Sequence, residues 1–334
     1  MTALLTTPLL DLHPAQADMV ALVQAGMRRR PRQLPAWLLY DAEGSRLFDL
    51  ICQQPEYSLT RTEIALLHSQ AAAIATAAVP AGQAPTVVEF GAGSARKVGP
   101  LLAALPGSAY AALDISSEHL AAACARLQHQ HPQVPVLGVC CDYSVLEHLP
   151  EHPLLQRQPR LGFYPGSSLG NFTPAEAHVL LAQMAHLLGP GARLLIGIDQ
   201  PKAVERLESA YNDAAGVSAA FARNLLVRLN QDLRGDFDPQ AFAYEASWQA
   251  DHSRIAMALV SRSDQQVNLA GSRWRFAAGE RLITEYSVKY SPKAFAQLAA
   301  AAGWQLERSW TDPAGDLSLH LLRQADSTQP TTAP

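Results

Sequence analysis

The chain has 334 residues, of which 26 are Lys or Arg and 30 are Asp or Glu, so its formal net charge is −4. Hydrophobic residues make up 48% and charged residues 17%, a composition that excludes a fibrous chain or one disordered throughout. The length allows about two domains. A near-neutral charge without a long basic run argues against a nucleic-acid partner, because neutralising phosphates needs clustered Lys and Arg.

Membrane, export and metal signals are weak in this sequence. No stretch reaches the ~18 consecutive apolar residues of a transmembrane helix, and residues 1–10 lack the basic start of a signal peptide. The four cysteines follow no metal-binding spacing, and no ligand set accompanies His129 and His131. We therefore expect a cytoplasmic protein that is a monomer, has no metal site and has no membrane partner.

The first part of the chain, to about residue 81, is predicted to be helical. Apolar spacing indicates a helix over 46–53, and an alanine-rich stretch without breakers indicates another over 61–78. Pro80-Ala81-Gly82 then interrupts the pattern. At the other end, the polar tail 326–334 is predicted to be disordered.

From residue 86, short apolar runs alternate with amphipathic stretches. The runs predict strands at 86–90, 109–115, 134–141, 161–164 and 193–198, with helices between them. Such alternation is typical of right-handed βαβ units. It predicts an α/β core built on a doubly wound parallel sheet.

The alternation stops between about 201 and 288. Two helices are predicted there, at 203–211 and 217–233, followed by antiparallel strands at 242–249, 254–261, 266–276 and 281–290. A helix at 292–302 and strands at 304–310 and 317–322 come last. We predict that 62–200 and 290–325 form the sheet domain, and that 10–61 and 201–289 form an inserted α+β domain that binds the substrate.

The first candidate site follows the first strand of the predicted sheet. Glu89 comes two residues before Gly91-Ala92-Gly93, and Asp114 ends the second strand. Glycines at a strand-to-helix turn let the backbone approach a ligand, and an acid at the next strand end can bind both ribose hydroxyls. Arg96 replaces the third glycine of a dinucleotide fingerprint, whereas Glu89 suits the positive charges of S-adenosylmethionine. The alternative is a plain tight turn with a solvent-facing acid.

Two more loops follow the third and fourth strands. Asp142-Tyr143 would lie over an adenine, where a carboxylate binds the exocyclic amine and a ring stacks, although a plain polar strand end fits equally well. The loop from Gly166 to Asn171 faces the same crevice and precedes a helix start at Thr173-Pro174. It also spells the G-x-S-x-G of a hydrolase around Ser168, but the helix begins too late for a nucleophile elbow.

A further signal comes from a set of motifs spread from about Leu34 to Leu322. They are Tyr40-Asp41-Ala42-Glu43-Gly44-Ser45, Pro55-Glu56-Tyr57 with Thr60-Arg61-Thr62-Glu63, the Gly166–Asn171 loop, Ala210-Tyr211-Asn212-Asp213 and Thr284-Glu285-Tyr286-Ser287-Val288-Lys289. Together they resemble the histidine Nα-methyltransferases of ergothioneine biosynthesis. The resemblance implies a class I, Rossmann-like methyltransferase sheet with an inserted substrate domain. It also implies that S-adenosylmethionine is used to methylate the α-amine of L-histidine three times, giving hercynine.

The resemblance also implies roles for individual residues. The cofactor would be bound by Gly91, Lys97, Asp114, Asp142 and Tyr143. The catalytic contacts to the reacting end of the amino acid would come from Tyr40, near the amine, and from Asn171. The remaining substrate-binding residues would be Tyr57, Gly166, Tyr211, Met257, Glu285 and Ser287. Of these, Glu285 and Ser287 would bind the imidazole, and Met257 would line its pocket or simply belong to the core. The sequence departs from the family at Tyr143, where Phe is usual, and at Ser58, where an aromatic is usual.

The residue types agree with that assignment. Glu285 and Ser287 are two apart on a predicted strand, so their side chains leave the same face and can each bind an imidazole nitrogen. The Tyr hydroxyls and the Asn171 amide would bind a zwitterion without a full positive charge, which would oppose a trimethylammonium product. The ring of Tyr40 would receive the growing cation, and Tyr40 or a water would accept the proton of the amine.

Two alternatives remain open at this point. A methyltransferase of the same family could act on another amino acid or an aromatic amine. A non-catalytic module could instead keep the fold to sense an adenosine metabolite, although the joint presence of Asp114, Asn171, Tyr211 and Glu285 argues for a working site.

Overall fold

A computed structural model describes residues 7–12 and 16–325 of the chain. Within these residues the helices are α1 (Gln16–Arg28), α2 (Ala42–Ile51), α3 (Leu59–Ala78), α4 (Gly99–Ala104), α5 (Ser117–Gln130), α6 (Pro153–Gln156), α7 (Pro174–Leu188), α8 (Val204–Tyr211), α9 (Val217–Leu233) and α10 (Pro292–Ala301). The strands are β1 (Leu9–Asp11), β2 (Arg32–Gln33), β3 (Thr86–Phe90), β4 (Ala109–Asp114), β5 (Val136–Cys140), β6 (Arg160–Tyr164), β7 (Arg193–Asp199), β8 (Phe242–Gln249), β9 (Arg254–Ser261), β10 (Gln265–Leu269), β11 (Ser272–Phe276), β12 (Arg281–Val288), β13 (Trp304–Thr311) and β14 (Leu317–Gln324).

The larger sheet has eight strands in the order β1-β5-β4-β3-β6-β7-β14-β13. The first six strands in this order are parallel to one another, and β14 and β13 are antiparallel to their neighbours. After β3 the chain adds β4 and β5 on one side, and then β6 and β7 on the other. The order therefore reverses between β3 and β6, the place where open α/β sheets bind ligands. The predicted α/β fold class is confirmed.

Alternating residues of the central strands explain why helices cover both faces of this sheet. Val87 of β3 packs in a cluster that includes Leu120 of α5. The next residue, Val88, packs in a second cluster with Leu181 of α7. Strands buried on both faces read as continuous apolar runs, and this is the pattern from which they were predicted.

A smaller sheet has the order β2-β12-β9-β8, and β10 and β11 form a separate hairpin. Strands β8 and β9 have the bounds expected from the sequence. The expected single strand over 266–276 is wrong, because Ala270 and Gly271 have positive φ angles of 52° and 73° and turn the chain back on itself. Below residue 81, β1 and β2 are also exceptions to the expected helices.

Strand β1 pairs with β5 of the larger sheet, although residues 10 and 11 were placed with the substrate domain. The division of the chain into domains otherwise stays a prediction, and the tail 326–334 lies outside the described residues. No helix in the described part of the chain is long and apolar enough to cross a membrane.

The two sheets meet at the loop that follows β6. A Cβ on Gly170 would lie 2.6 Å from the carbonyl oxygen of Val288, at the end of β12. Only a residue without a side chain allows this approach of the two backbones. The end of β12 is thereby placed beside the carboxyl end of the larger sheet.

Candidate active site

The turn after β3 and the end of β4 form one side of a crevice at the switch point. Gly91 and Gly93 have φ angles of 67° and 52°, a conformation that favours glycine. Asp114 accepts hydrogen bonds from the backbone N–H groups of Gly93, at 2.8 Å, and Ser116, at 3.0 Å. Burial raises the pKa of Asp114, and these backbone donors oppose that rise. Each carboxylate oxygen keeps acceptor capacity for a hydroxyl donor, so Asp114 fits a ribose.

The loop after β5 lies against the same turn. The hydroxyl oxygen of Tyr143 is 3.3 Å from the position that a Cβ on Gly91 would occupy. Its ring is edge-on to Phe90, with the centroids 5.6 Å apart. Asp142 accepts hydrogen bonds from the amide and hydroxyl of Ser144, at 3.0 and 2.5 Å. These contacts place the ring of Tyr143 against the glycine turn, and the binding of an adenine by Asp142 and Tyr143 stays a prediction.

Glu63, a residue without a role in the predicted site, joins Lys97 to the loop after β6. The ammonium of Lys97 lies 2.8 Å from a carboxylate oxygen of Glu63, a fully buried residue of α3. The backbone N–H of Gly166 lies 2.9 Å from both oxygens of the same carboxylate. Burial lowers the pKa of Lys97, but the charge of Glu63 outweighs this effect and raises it. Glu63 thus links α3, the loop before α4 and the loop after β6.

Glu89, which precedes the glycine turn on β3, is a buried carboxyl. It is 1% exposed and accepts a hydrogen bond of 2.6 Å from the hydroxyl of Tyr110. Burial raises its pKa to about 8. That this carboxyl attracts the positive charges of a cofactor stays a prediction.

A single cavity lies between the loop after β6, the smaller sheet and helices α2, α8 and α9. All eight residues predicted to contact the substrate line it, and these are Tyr40, Tyr57, Gly166, Asn171, Tyr211, Met257, Glu285 and Ser287. The cavity is also lined by four residues that the sequence motifs did not assign to substrate binding, Phe48, Phe221, Tyr244 and Thr284. Phe48 and Phe221 belong to the apolar faces of helices, a pattern that indicates only burial.

Glu285 is the acidic group of this cavity. The carboxylate oxygen Oε1 accepts a hydrogen bond of 2.8 Å from the amide of Asn171 and one of 3.4 Å from the hydroxyl of Tyr40. Burial raises the pKa of Glu285 to about 8, although the bond from Tyr40 and the charge of Lys289 lower it. The carboxyl thus lies beside the two residues predicted to contact the reacting end of an amino acid.

Ser287 lies on the same face of β12 as Glu285, as predicted, because both side chains line the cavity. The strand has an irregular register between Ile283 and Glu285 and regular pairing with β9 after it. The hydroxyl of Ser287 is 2.7 Å from the hydroxyl of Tyr211. Both hydroxyl oxygens accept hydrogen bonds from Lys289, at 2.7 and 2.8 Å.

Lys289 contradicts the expectation of a site without a full positive charge. Its side chain is completely buried and forms an ion pair of 2.7 Å with Asp199 at the end of β7. Burial raises the pKa of Asp199, but the charges of Lys289 and Lys202 outweigh it, so the pKa of this carboxyl is lowered. The cation is therefore balanced by a neighbouring anion and does not act as an isolated charge.

Aromatic rings form another part of the cavity wall. Tyr40 is edge-on to Phe48 and Phe221, at centroid distances of 5.6 and 5.4 Å. Tyr57 is edge-on to Tyr211 at 5.9 Å. Met257 lines the cavity and also packs in a cluster with Leu207, and its contact with an imidazole stays a prediction. Aromatic faces attract cations, which suits a ligand that carries an ammonium group.

The hydrolase alternative does not fit the loop after β6. Its positive φ angles fall on Gly166, at 84°, and Ser167, at 55°, and not on Ser168. The hydroxyl of Ser168 donates to the carbonyl oxygen of Pro165 at 3.1 Å. Helix α7 begins only at Pro174, capped by Thr173 and Glu176. An exposed nucleophile on a sharp strand-to-helix turn is therefore not formed here.

Comparison with known proteins agrees with this geometry. Residues 19–324 match the model of a family described as histidine-specific, S-adenosylmethionine-dependent methyltransferases. The chain belongs to this family. It is similar to proteins named histidine N-alpha-methyltransferase from Mycolicibacterium smegmatis and Mycobacterium tuberculosis, at 41% and 38% identity, each over 90% of this chain and 92% of the relative. A protein named ergothioneine biosynthesis protein 1 from Neurospora crassa is 29% identical, over 88% of this chain and 33% of that protein.

The family membership confirms that this methyltransferase uses S-adenosylmethionine as its cofactor. The crevice fits that molecule, because a glycine turn, a carboxylate at the end of β4 and an aromatic ring meet at the switch point. The assignment of individual residues to the cofactor and to the substrate stays a prediction.

Proposed function

We propose that this methyltransferase transfers three methyl groups to the α-amino nitrogen of L-histidine, giving hercynine in ergothioneine biosynthesis. The observation that carries the proposal is the buried carboxyl of Glu285 on the same cavity wall as the hydroxyl of Ser287, in a cavity that six aromatic side chains also line. A carboxyl and a hydroxyl on one wall match the two nitrogens of an imidazole. The names of the relatives described above agree with this substrate.

Asp114 would bind the ribose of the cofactor, Asp142 and Tyr143 the adenine, and Gly91 and Lys97 the rest of the molecule. When bound, S-adenosylmethionine supplies an electrophilic methyl group on a sulfonium. The task of the protein is then chiefly to place the amine in line with that group.

On the substrate side, Asn171 and Tyr211 would hold the α-carboxylate and the amine end, while Tyr57 would lie near the ring. Tyr40 would contact the amine. Burial, more than the charge of Glu285, raises the pKa of Tyr40, so its phenol stays neutral at pH 7. It therefore accepts a hydrogen bond from the amine without serving as a resident base, and this favours water as the final acceptor of the proton.

The number of methyl groups follows from the aromatic wall. Each methylation increases apolar and cation–π contact with Tyr40 and its neighbours Phe48 and Phe221. The positive charge of Lys289 is offset by Asp199, so it does not stop the series. We expect mass spectrometry of a long incubation with excess cofactor to show the trimethylated product. Accumulation of the monomethyl product alone would contradict this.

Replacing Glu285 tests the substrate. A site that binds a ring nitrogen leaves its polar groups unpaired with an apolar analogue, and discrimination in such sites reaches ~10⁴-fold. We expect Glu285→Ala to lower kcat/KM for histidine sharply and to weaken the rejection of phenylalanine and tryptophan, with cofactor binding unchanged. Glu285→Gln keeps the shape of the side chain and should be intermediate.

The matched control is Glu245→Ala, because Glu245 lies exposed on β8 and pairs with Arg281 at the surface. This variant should leave the specificity unchanged. If the preference for histidine survives in Glu285→Ala, the placement of the imidazole is wrong. Release of S-adenosylhomocysteine with each of the twenty amino acids separates histidine from other substrates and from a non-catalytic sensor.

We also propose that the enzyme works as a cytoplasmic monomer. The large apolar side chains that are exposed in the described residues, such as Val145 and Val179, are single residues on different elements. Cys52, Cys124 and Cys141 are thiols, which suits a reducing compartment. Light scattering behind size-exclusion chromatography should give a mass near 36.0 kDa. Twice that mass would contradict the monomer.

A further inference from the structure

The ammonium of Lys289 has all three of its hydrogens engaged inside the protein. One is directed to Asp199 at 2.7 Å, one to the hydroxyl oxygen of Tyr211 at 2.8 Å and one to the hydroxyl oxygen of Ser287 at 2.7 Å. An ammonium group has three donors and no acceptor, so both hydroxyl oxygens must accept from it. This lysine follows β12, whereas Asp199 ends β7 of the larger sheet.

Counting the hydroxyl hydrogens gives the consequence. Tyr211 and Ser287 have one hydroxyl hydrogen each, and the 2.7 Å contact between their oxygens uses one of the two. Because Lys289 donates to both oxygens, the remaining hydrogen cannot be directed at Lys289. Both residues line the cavity, so this hydrogen is available to a ligand there.

We propose that Lys289 is a positioning residue that makes the Tyr211–Ser287 pair a hydrogen-bond donor toward the substrate. The proposal rests on the function proposed above and deepens it. Glu285, on the same face of β12, supplies a carboxyl oxygen that accepts a hydrogen bond in both the charged and the neutral form. The two together fit a ligand that offers one N–H and one acceptor atom, and L-histidine offers its ring N–H together with an unprotonated ring nitrogen or its α-carboxylate.

The polar and charged groups around Lys289 lie on β7, α8 and β12. Asp199 lies on β7 and is also paired with Lys202 at 2.7 Å. Tyr211 lies on α8, and Glu285 lies on β12, two residues before Ser287. Lys202 and Lys289 both contact Asp199. The hydroxyl oxygens of Tyr211 and Ser287, in contrast, accept hydrogen bonds from Lys289. The two lysines therefore share an ion-pair partner and differ in their contact with the hydroxyl pair.

The test compares Lys289→Met with Lys202→Met, using calorimetry and steady-state kinetics. Each variant removes one cation from Asp199, so effects of that loss alone appear in both. We expect Lys289→Met to raise the Kd of L-histidine, measured with S-adenosylhomocysteine bound, and its KM by about 10- to 100-fold, the range for a hydrogen bond that involves a charged group. The Kd of S-adenosylhomocysteine should change by less than about twofold, and Lys202→Met should leave both values near wild type.

The double variant Lys289→Met with Asp199→Asn replaces both charges of the buried pair by neutral side chains. It should therefore fold even if Lys289→Met alone fails to fold. It should show the same loss of histidine affinity. An unchanged Kd for histidine in a folded Lys289→Met variant, or an equal loss in Lys202→Met, would overturn the proposal.

Two analogues identify the atom that the donor serves. Histidinol lacks the α-carboxylate and phenylalanine lacks the ring nitrogens. A smaller loss in Lys289→Met for either analogue than for histidine shows which acceptor is bound and supports the proposal, whereas equal losses for all three ligands overturn it. If the wild-type enzyme releases no S-adenosylhomocysteine with histidine, the proposed function fails independently of Lys289.

Discussion

The buried carboxylate of Glu63 provides a sharp test of how the crevice is held together. It is 0% exposed, it pairs with Lys97 at 2.8 Å and it accepts from the N–H of Gly166 at 2.9 Å. Glu63→Gln keeps the shape and one acceptor oxygen but removes the charge, which leaves Lys97 without its partner. Removing one member of a buried pair costs about 3–5 kcal/mol.

That range is an upper limit here, because the side chain of Lys97 is 18% exposed and water solvates part of its charge. We expect Glu63→Gln to lower the free energy of unfolding by about 2–3 kcal/mol. Chemical denaturation at pH 7 measures this quantity. Combining Glu63→Gln with Lys97→Met should cost less than the sum of the two single changes, by at least about 1.5 kcal/mol.

Gly197 supplies an independent check on the same contact. A Cβ at this position of β7 would lie 1.9 Å from the carboxylate oxygen Oε1 of Glu63, closer than two atoms can approach without bonding. Gly197→Ala should therefore destabilise the wild type strongly, but much less in a Glu63→Ala background, where that oxygen is gone. Equal effects in both backgrounds, or additive effects of Glu63→Gln and Lys97→Met within about 0.5 kcal/mol, would refute the reasoning.

Two more predictions concern the cofactor and the stability in acid. Asp114→Ala should weaken S-adenosylmethionine binding by about 1.5–3 kcal/mol in titration calorimetry, and an unchanged Kd would remove Asp114 from the ribose site. Burial lowers the pKa of His320 to about 4, so its neutral form is favoured in the folded state. Stability from this group is complete above the unfolded pKa of about 6.5 and is lost as the pH falls toward 4, by up to about 3 kcal/mol. His320→Gln should reduce the dependence of the free energy of unfolding on pH in that window. A slope identical to that of the wild type would exclude the role of His320.

The elements that the sequence predicted well are those whose signal is local. Helix α9 and strands β3, β8 and β9 have the predicted bounds, because an amphipathic or β-branched run of five or more residues defines them. Strands β1 and β2 are three and two residues long and exist only because distant strands offer backbone partners. The Leu34 amide, for example, donates to the carbonyl oxygen of Ile283 at 3.2 Å. No periodicity in so short a segment can show this.

The site shows the same limit in its charges. The eight residues that the motif resemblance predicts to contact the substrate do line one cavity, but the residue types gave no indication of a cation that the structure contains beside it. Lys289 lies within one of the quoted motifs, and its partner Asp199 is 90 positions away in the chain. A lysine is buried at this depth only when an anion and hydrogen-bond acceptors surround it. Two of the three partners, Asp199 and Tyr211, come from β7 and α8, so the burial of Lys289 depends on tertiary structure.

Polar contacts are concentrated at the end of β12, where the smaller sheet meets the larger one. Three links connect this strand to the larger sheet or its loops: the close approach of Gly170 to Val288, the hydrogen bond from Asn171 to Glu285 and the ion pair between Lys289 and Asp199. Glu285 and Ser287 lie on the strand that these links hold. The substrate would then be positioned by contacts that start from the same strand ends as the cofactor crevice. For a reaction whose main requirement is alignment of two reacting atoms, a displacement of one sheet relative to the other would change their distance directly. These links therefore bear on the rate through the alignment of the amine, even where they contact no reacting atom.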